Sequence, residues 1–223
     1  MTRAPNSLRL LMALAVVFAM VPMSKADTIS LGLQQGSSIT TVDTTTTGSL
    51  VYSGTFGTFT LNMITAEGSP FINEPNFQTT SVNTSSSAGG TLDVWMTQSD
   101  LTAPIPENEL LSGFTTNAFQ GAVTSVTENT YLDASNAIFG TGTLLGTATF
   151  NAQGSTYVQS SPLSVGSGPY SETVEYVIDM AGSGTANSTI NVSTVPEPSS
   201  LLLLGTGITG VAGMLRRKLK ATA

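Results

Sequence analysis

Over residues 170–180 polar and apolar side chains alternate with a period of two. Val174, Tyr176, Ile178 and Met180 fall on one side of an extended chain, and Ser171, Thr173, Glu175, Val177 and Asp179 on the other. A β-strand sorts residues this way because successive side chains leave opposite faces of the pleat. The pattern recurs in Leu92, Val94 and Met96 set against Thr91, Asp93, Trp95 and Thr97, in Phe59, Leu61 and Met63, and in Ile190 with Val192. Further strands are expected at residues 28–34, 49–53, 122–127, 143–150 and 156–159. They are separated by glycine-containing turns at Ala88-Gly89-Gly90, Gly140-Thr141-Gly142 and Gly166-Ser167-Gly168-Pro169. Eight to ten short antiparallel strands predict a mainly β domain, an antiparallel β-sandwich of jelly-roll-like or similar type. A barrel or β-helix stays open as an alternative, although no fixed repeat period supports a solenoid.

Polar stretches are assigned by composition. The run from Thr40 to Thr47 reads as an exposed hairpin or edge strand, residues 81–90 as a flexible loop, and Gly182-Ser183-Gly184 as a turn. Pro106-Glu107-Asn108-Glu109-Leu110-Leu111 carries acids ahead of apolar residues, the pattern of one short helical turn. Three Asn-x-Ser/Thr sequons begin at Asn83, Asn187 and Asn191.

The two ends have a different character. Arg3 and Arg9 precede an apolar core over residues 10–21, and Ser24-Lys25-Ala26 offers the small residues a signal peptidase reads. Residues 1–26 are therefore expected to be a secretory signal peptide, cut between Ala26 and Asp27. At the other end, Val195-Pro196-Glu197-Pro198 leads into an apolar run closed by Arg216, Arg217, Lys218 and Lys220. A transmembrane helix over residues 199–215 would reach roughly 25 Å, the short side of a bilayer core of about 30 Å. The basic cluster after it places the C-terminus in the cytoplasm under the positive-inside rule, and the rest of the chain outside.

That ordered triplet, Val195-Pro196-Glu197-Pro198, a short glycine-bearing apolar span and Arg216-Arg217-Lys218, resembles the PEP-CTERM sorting signal of exported bacterial proteins. The resemblance covers residues 195–220 only. It implies recognition by a membrane protease-transpeptidase of the exosortase class, cleavage near Pro196-Glu197-Pro198, passage through an inner-membrane intermediate, and delivery to the cell surface or exopolysaccharide matrix. It implies nothing about residues 27–194, the expected exported domain.

With the ends set aside, charge becomes informative. All seven basic residues lie in the flanks, and all fourteen acids lie between Asp27 and Glu197, where there is no histidine. Such a surface repels phosphate backbones, so nucleic acid is excluded as a partner. Without cysteine, a hydrophobic core must hold the domain together, and about 170 residues suffice for one.

The same inventory limits the chemistry. Ser-His-Asp, Cys-His and lysine-assisted nucleophiles cannot be assembled between residues 27 and 198, and histidine-ligated zinc is excluded. Paired carboxylates could hydrolyse glycosides if held about 5 to 10 Å apart, with Glu107, Glu109, Glu172 and Glu175 as candidates. Against that, Glu172 and Glu175 fall on opposite faces of one strand, and Glu107 and Glu109 suit the start of a helical turn. Calcium could take oxygen ligands from Asp93, Asp100, Glu107 and Glu109, although no Asp-x-Asp-x-Asp-Gly loop occurs. Trp95 shares a face with Asp93 and Thr97, opposite Leu92, Val94 and Met96, where an exposed ring would stack on a sugar. The expectation is an exported structural or adhesive protein of the surface or matrix, not an enzyme, with no required cofactor. The first alternative is a carbohydrate-binding module using Trp95 on exopolysaccharide; the second is a carboxylate-based glycoside hydrolase.

Overall fold

The computed structural model describes residues 27–69, 79–102, 109–161, 163 and 168–194. These form ten strands: β1 Thr28–Gln34, β2 Ile39–Thr45, β3 Ser49–Phe56, β4 Phe59–Glu67, β5 Thr79–Ser86, β6 Gly90–Leu101, β7 Leu110–Asp133, β8 Thr143–Phe150, β9 Gly154–Gln159 and β10 Tyr170–Thr194. Every pairing is antiparallel. The expected strands at 28–34 and 143–150 are β1 and β8, and the threonine run lies largely in β2, an edge strand at one end of the path β2-β1-β6-β10-β5-β4-β3.

Two long strands hold the architecture together. The first half of β10 pairs with β6 and with the second half of β7; its second half pairs with β5 and with the first half of β7. One layer therefore contains β2, β1, β6 and β8 beside these strands, and the other contains β3, β4, β5 and β9. Because β7 and β10 run through both layers, a single hydrogen-bonded sheet curls over its own core until β3 meets β1 and β2, nearly a barrel. The crossing point is a bulge where the register of β10 against β7 jumps between Met180 and Gly184. Gly121 faces Gly184 there with φ +72°, and a Cβ on Gly121 would stand 2.5 Å from the Ser183 carbonyl oxygen. Only glycine accepts both that dihedral and that approach.

Alternation delivers Ile29, Leu31, Leu33, Leu92, Val94, Met96, Val174, Tyr176 and Ile178 to the core from one layer, and Phe59, Leu61, Ile64, Val82, Phe114 and Ile190 from the other. Each full burial contributes about 1.5–3 kcal/mol relative to exposure. The core also contains hydroxyls, joined across it: Ser112 to Thr130 at 2.7 Å, and Thr80 to the Tyr176 hydroxyl at 2.7 Å.

Four expectations are corrected. Residues 81–90 are not a flexible loop, since β5 occupies most of them with Val82, Thr84 and Ser86 buried; their hydroxyls bond inward, Thr84 donating to the Thr60 carbonyl at 3.0 Å and Ser86 to that of Thr58 at 2.9 Å. Gly182-Ser183-Gly184 is the bulge inside β10 rather than a turn, so Ile190 and Val192 continue the same strand as Val174. Leu110 and Leu111 open β7 instead of closing a helical turn, residues 103–108 lying outside the described ones. Two separate sheets are replaced by one, because strands of 24 and 25 residues are long enough to serve both layers.

The hairpin between β3 and β4 is tight. Phe56 pairs with Phe59 across Gly57 and Thr58, and Gly57 at φ +56° supplies the first central residue of a primed turn.

Candidate functional site

Each layer presents an outer face. On the first, β6 contributes Thr91, Asp93, Trp95 and Thr97, and β10 contributes Asp179, Val177, Glu175 and Thr173 in register beside them. Asp93 lies opposite Val177 and so sits diagonally between Glu175 and Asp179. Burial is the main cause that pushes the Asp93 carboxyl up to about 6, with repulsion from Glu175 and then Asp179 adding to it. Glu175 is only 8% exposed and accepts hydrogen bonds from Asn129 Nδ2 at 2.9 Å and the Tyr131 hydroxyl at 3.0 Å. Burial, then the charge of Glu175 and its hydrogen bond, push the Tyr131 phenol upward, so it stays protonated as a donor. Asp179 accepts from Thr91 Oγ1 at 2.6 Å and Ser125 Oγ at 2.9 Å.

Trp95 is on this face, as alternation predicts, but it is not a solvent-facing platform: it is 8% exposed. Its β1 partner Gly32 leaves room for neighbours, and a Cβ there would come within 2.6 Å of both Phe139 Cζ and Ile39 Cγ2. The loop after β7 is pinned over this end of the face, with Phe139 N–H donating to Thr97 Oγ1 at 2.9 Å and Asp100 N–H donating to Asn136 Oδ1 at 2.8 Å. Asp100, Asn136 and Phe139 all adopt positive φ, at 66°, 58° and 58°, the geometry that this docking imposes. Tertiary cover, invisible in the strand's own pattern, withdraws the ring from solvent.

The other candidate carboxylates are dispersed. Glu172 points to the core side of β10 and is 1% exposed, while Glu175 lies on the outer face. Glu109 accepts from Gln159 Nε2, and Asp100 is bound to Asn136 at the end of β6. Glu107 lies outside the described residues, as do Ala26, Val195, Pro196, Glu197, Pro198, Arg216 and Arg217; Asp27 is the first described residue. Among the described residues no group of three or more acids is placed to hold a metal ion.

Two features had not been singled out from sequence. Glu128 is fully buried in the core, its Oε2 accepting from Thr115 N–H at 3.1 Å and its Oε1 from Thr116 Oγ1 at 3.3 Å. Burial pushes its carboxyl up to about 7, against the lowering effect of Ser188, Thr115 and Thr116. Stepping by two from Val126 through Glu128, Thr130 and Leu132 would have exposed its inward position. The second feature is on the outer face of the other layer. Tyr157 in β9 is 72% exposed and lies over its partner Gly113, where an added Cβ would be 3.0 Å from Tyr157 Cε1 and 3.2 Å from Asn191 Oδ1. Tyr157, Gly113, Asn191 and Ser193 line a groove of about 190 Å³. Further along the same face, a concavity of about 470 Å³ opens among Thr60, Ser85, Gln120, Gly121, Ser183 and Thr185. No charged side chain lines either one.

Comparison with known proteins gives likenesses of shape. The adhesin domain of Epf from Streptococcus pyogenes aligns at TM-score 0.37 and 9% identity, covering 76% of this chain and 60% of that one. The family 11 carbohydrate-binding module from Clostridium thermocellum, solved with a β-1,3-1,4-mixed-linked tetrasaccharide, aligns at 0.33 and 10%, covering 74% and 95%. TmCBM61 in complex with β-1,4-galactotriose aligns at 0.33 and 13%, covering 52% and 71%. At these values no ligand transfers, and function rests on this chain's own residues. No curated protein matches the sequence. The C-terminal end does match a family: residues 194–218 are a PEP-CTERM protein-sorting motif.

Proposed function

We propose that this chain is a structural or adhesive protein of the cell surface or extracellular matrix, exported and then sorted through its C-terminal motif by an exosortase-type protease. The observation that carries the reading is continuity: β10 ends at Thr194, and the sorting motif begins at residue 194. A membrane protease cutting near Pro196-Glu197-Pro198 would therefore release the β domain with almost no linker. Each proline fixes its own φ and biases the residue before it away from helix, a sequence preference that suits recognition by a protease.

On this reading signal peptidase removes residues 1–26, and residues 27–194 are the exported domain, whose strands form one antiparallel sheet curled over its core. Residues 199–215 hold the precursor in the inner membrane as a helix, and Arg216 and Arg217 fix its orientation, since carrying them across the bilayer is costly. No enzymatic step or cofactor belongs to the proposal. The dispersal of Glu109, Glu172 and Glu175 supports that, as does the lack of histidine, cysteine and lysine between residues 27 and 198. The test replaces Pro196, Glu197 and Pro198 by alanine in a host with the sorting enzyme, followed by fractionation and mass analysis. Export should persist with the precursor trapped in the membrane; cleavage and surface delivery like the parent's would overturn the reading.

A further inference from the structure

Tyr157 and the hydroxyl-lined concavity lie on one face, and β10 connects them. Thr185 lines the concavity and Asn191 the groove, both pointing outward from the same strand, with Ala186, Ser188 and Ile190 buried beneath. The six-residue interval between them spans about 20 Å of extended chain. Across that interval the outward residues are Asn187 and Thr189, tied to the neighbouring strand by Asn117 Nδ2 at 3.0 and 2.9 Å. The face is thus uncharged along this line, rigid through cross-strand hydrogen bonds, and furnished with amide and hydroxyl groups.

We propose that this face binds a neutral polysaccharide lengthwise, with one sugar ring stacked on Tyr157 and a further unit of the same chain seated in the concavity beside Gly121. Three properties select that ligand class. Tyr157 lies over its cross-strand partner Gly113 yet remains 72% exposed, which leaves an aromatic surface free for the apolar side of a sugar. Its neighbours offer both donors and acceptors, as alternating ring hydroxyls require. The uncharged lining provides no counter-ion for uronate or sulfated chains, and the thirteen acids of residues 27–194 repel them. This goes beyond sorting and is independent of it, because binding is read on the purified protein without any sorting enzyme.

The test is affinity electrophoresis of the full chain in neutral detergent through gels containing a soluble neutral β-glucan, a neutral galactan or, as the anionic control, alginate. At least one neutral polymer should retard the protein, and alginate should not. Tyr157→Ala, a change at an exposed position on an edge strand, should weaken retardation about tenfold, the equivalent of one lost aromatic contact. Gln120→Ala should weaken it from the concavity end, while Thr149→Ala on the opposite layer should bind like the parent. Circular dichroism of each variant confirms that the β signal is kept. Absence of retardation by both neutral polymers, retardation by alginate alone, or unchanged binding by Tyr157→Ala in a folded protein would each overturn the proposal.

Discussion

The hydroxyl of Tyr176 accepts the backbone N–H of Ile190 at 2.8 Å, although both residues lie on β10, fourteen positions apart. The same hydroxyl donates to the Thr80 carbonyl at 2.9 Å. One strand thus reaches across the core to meet its own continuation, and a buried phenol ties the layers together. Tyr176→Phe should cost about 1–3 kcal/mol, the penalty for leaving a buried backbone donor unpaired. Urea unfolding followed by circular dichroism measures this, and an unchanged midpoint would count against a structural role for the hydroxyl.

Glu128 makes stability depend on pH in an unusual direction. Its carboxyl is raised from 4.5 to about 7, so the folded state holds a proton that the unfolded state has released between those values. The folded protein binds more protons there, and the contribution to stability falls as pH rises from about 4.5 to about 7, by about 3 kcal/mol in all. Glu128→Gln keeps acceptor and donor atoms but cannot ionise. The variant should match the parent near pH 4 and exceed it near pH 8 in thermal melts; an equal difference at both pH values would contradict the assignment.

Glycine is required at the bulge in one place and not in the next. Gly121→Ala meets both a positive φ and the Ser183 carbonyl oxygen at 2.5 Å, and should destabilise by about 1–3 kcal/mol. Gly182→Ala would meet only Ala122 Cβ at 3.5 Å, an ordinary contact, and should change stability by less than about 0.5 kcal/mol. Melting the pair side by side checks it: equal losses would mean that the bulge geometry does not govern the crossing.

Trp95, the sole tryptophan, reports on the covered face without competition. Its emission should lie to the blue of exposed indole and resist quenching by iodide, given 8% exposure. Asn136→Gly removes a side chain that holds the covering loop to Asp100 and should raise quenching while leaving the β spectrum intact. Strong quenching in the parent would place Trp95 back on the surface.

Strands with alternating apolar residues were legible because a half-buried strand shows its inner face in sequence; the face of Val174, Tyr176, Ile178 and Met180 is buried throughout. Strand β5 was not legible, since Thr80, Thr84 and Ser86 face the core as hydroxyls and read as loop by composition. Their burial is acceptable only because Tyr176 and the carbonyls of Thr58 and Thr60 stand opposite, on segments far away in sequence. The partner makes such a residue an inside residue, and no local window contains the partner. Trp95 is the same lesson in reverse: alternation puts its ring on the outer face, but the loop after β7 docks on that face and the ring is buried.

By itself the sequence determined the β class, the strand positions set by period-two patterning, the segregation of every basic residue to the ends, and the sorting motif, because each of these is local or compositional. The tertiary structure alone decided that β7 and β10 serve both layers, that the Tyr176 hydroxyl meets Ile190 across the core and that Trp95 is covered while Tyr157 is exposed. Those outcomes depend on contacts between residues distant along the chain, whose energies exist only once the sheet has curled over its core.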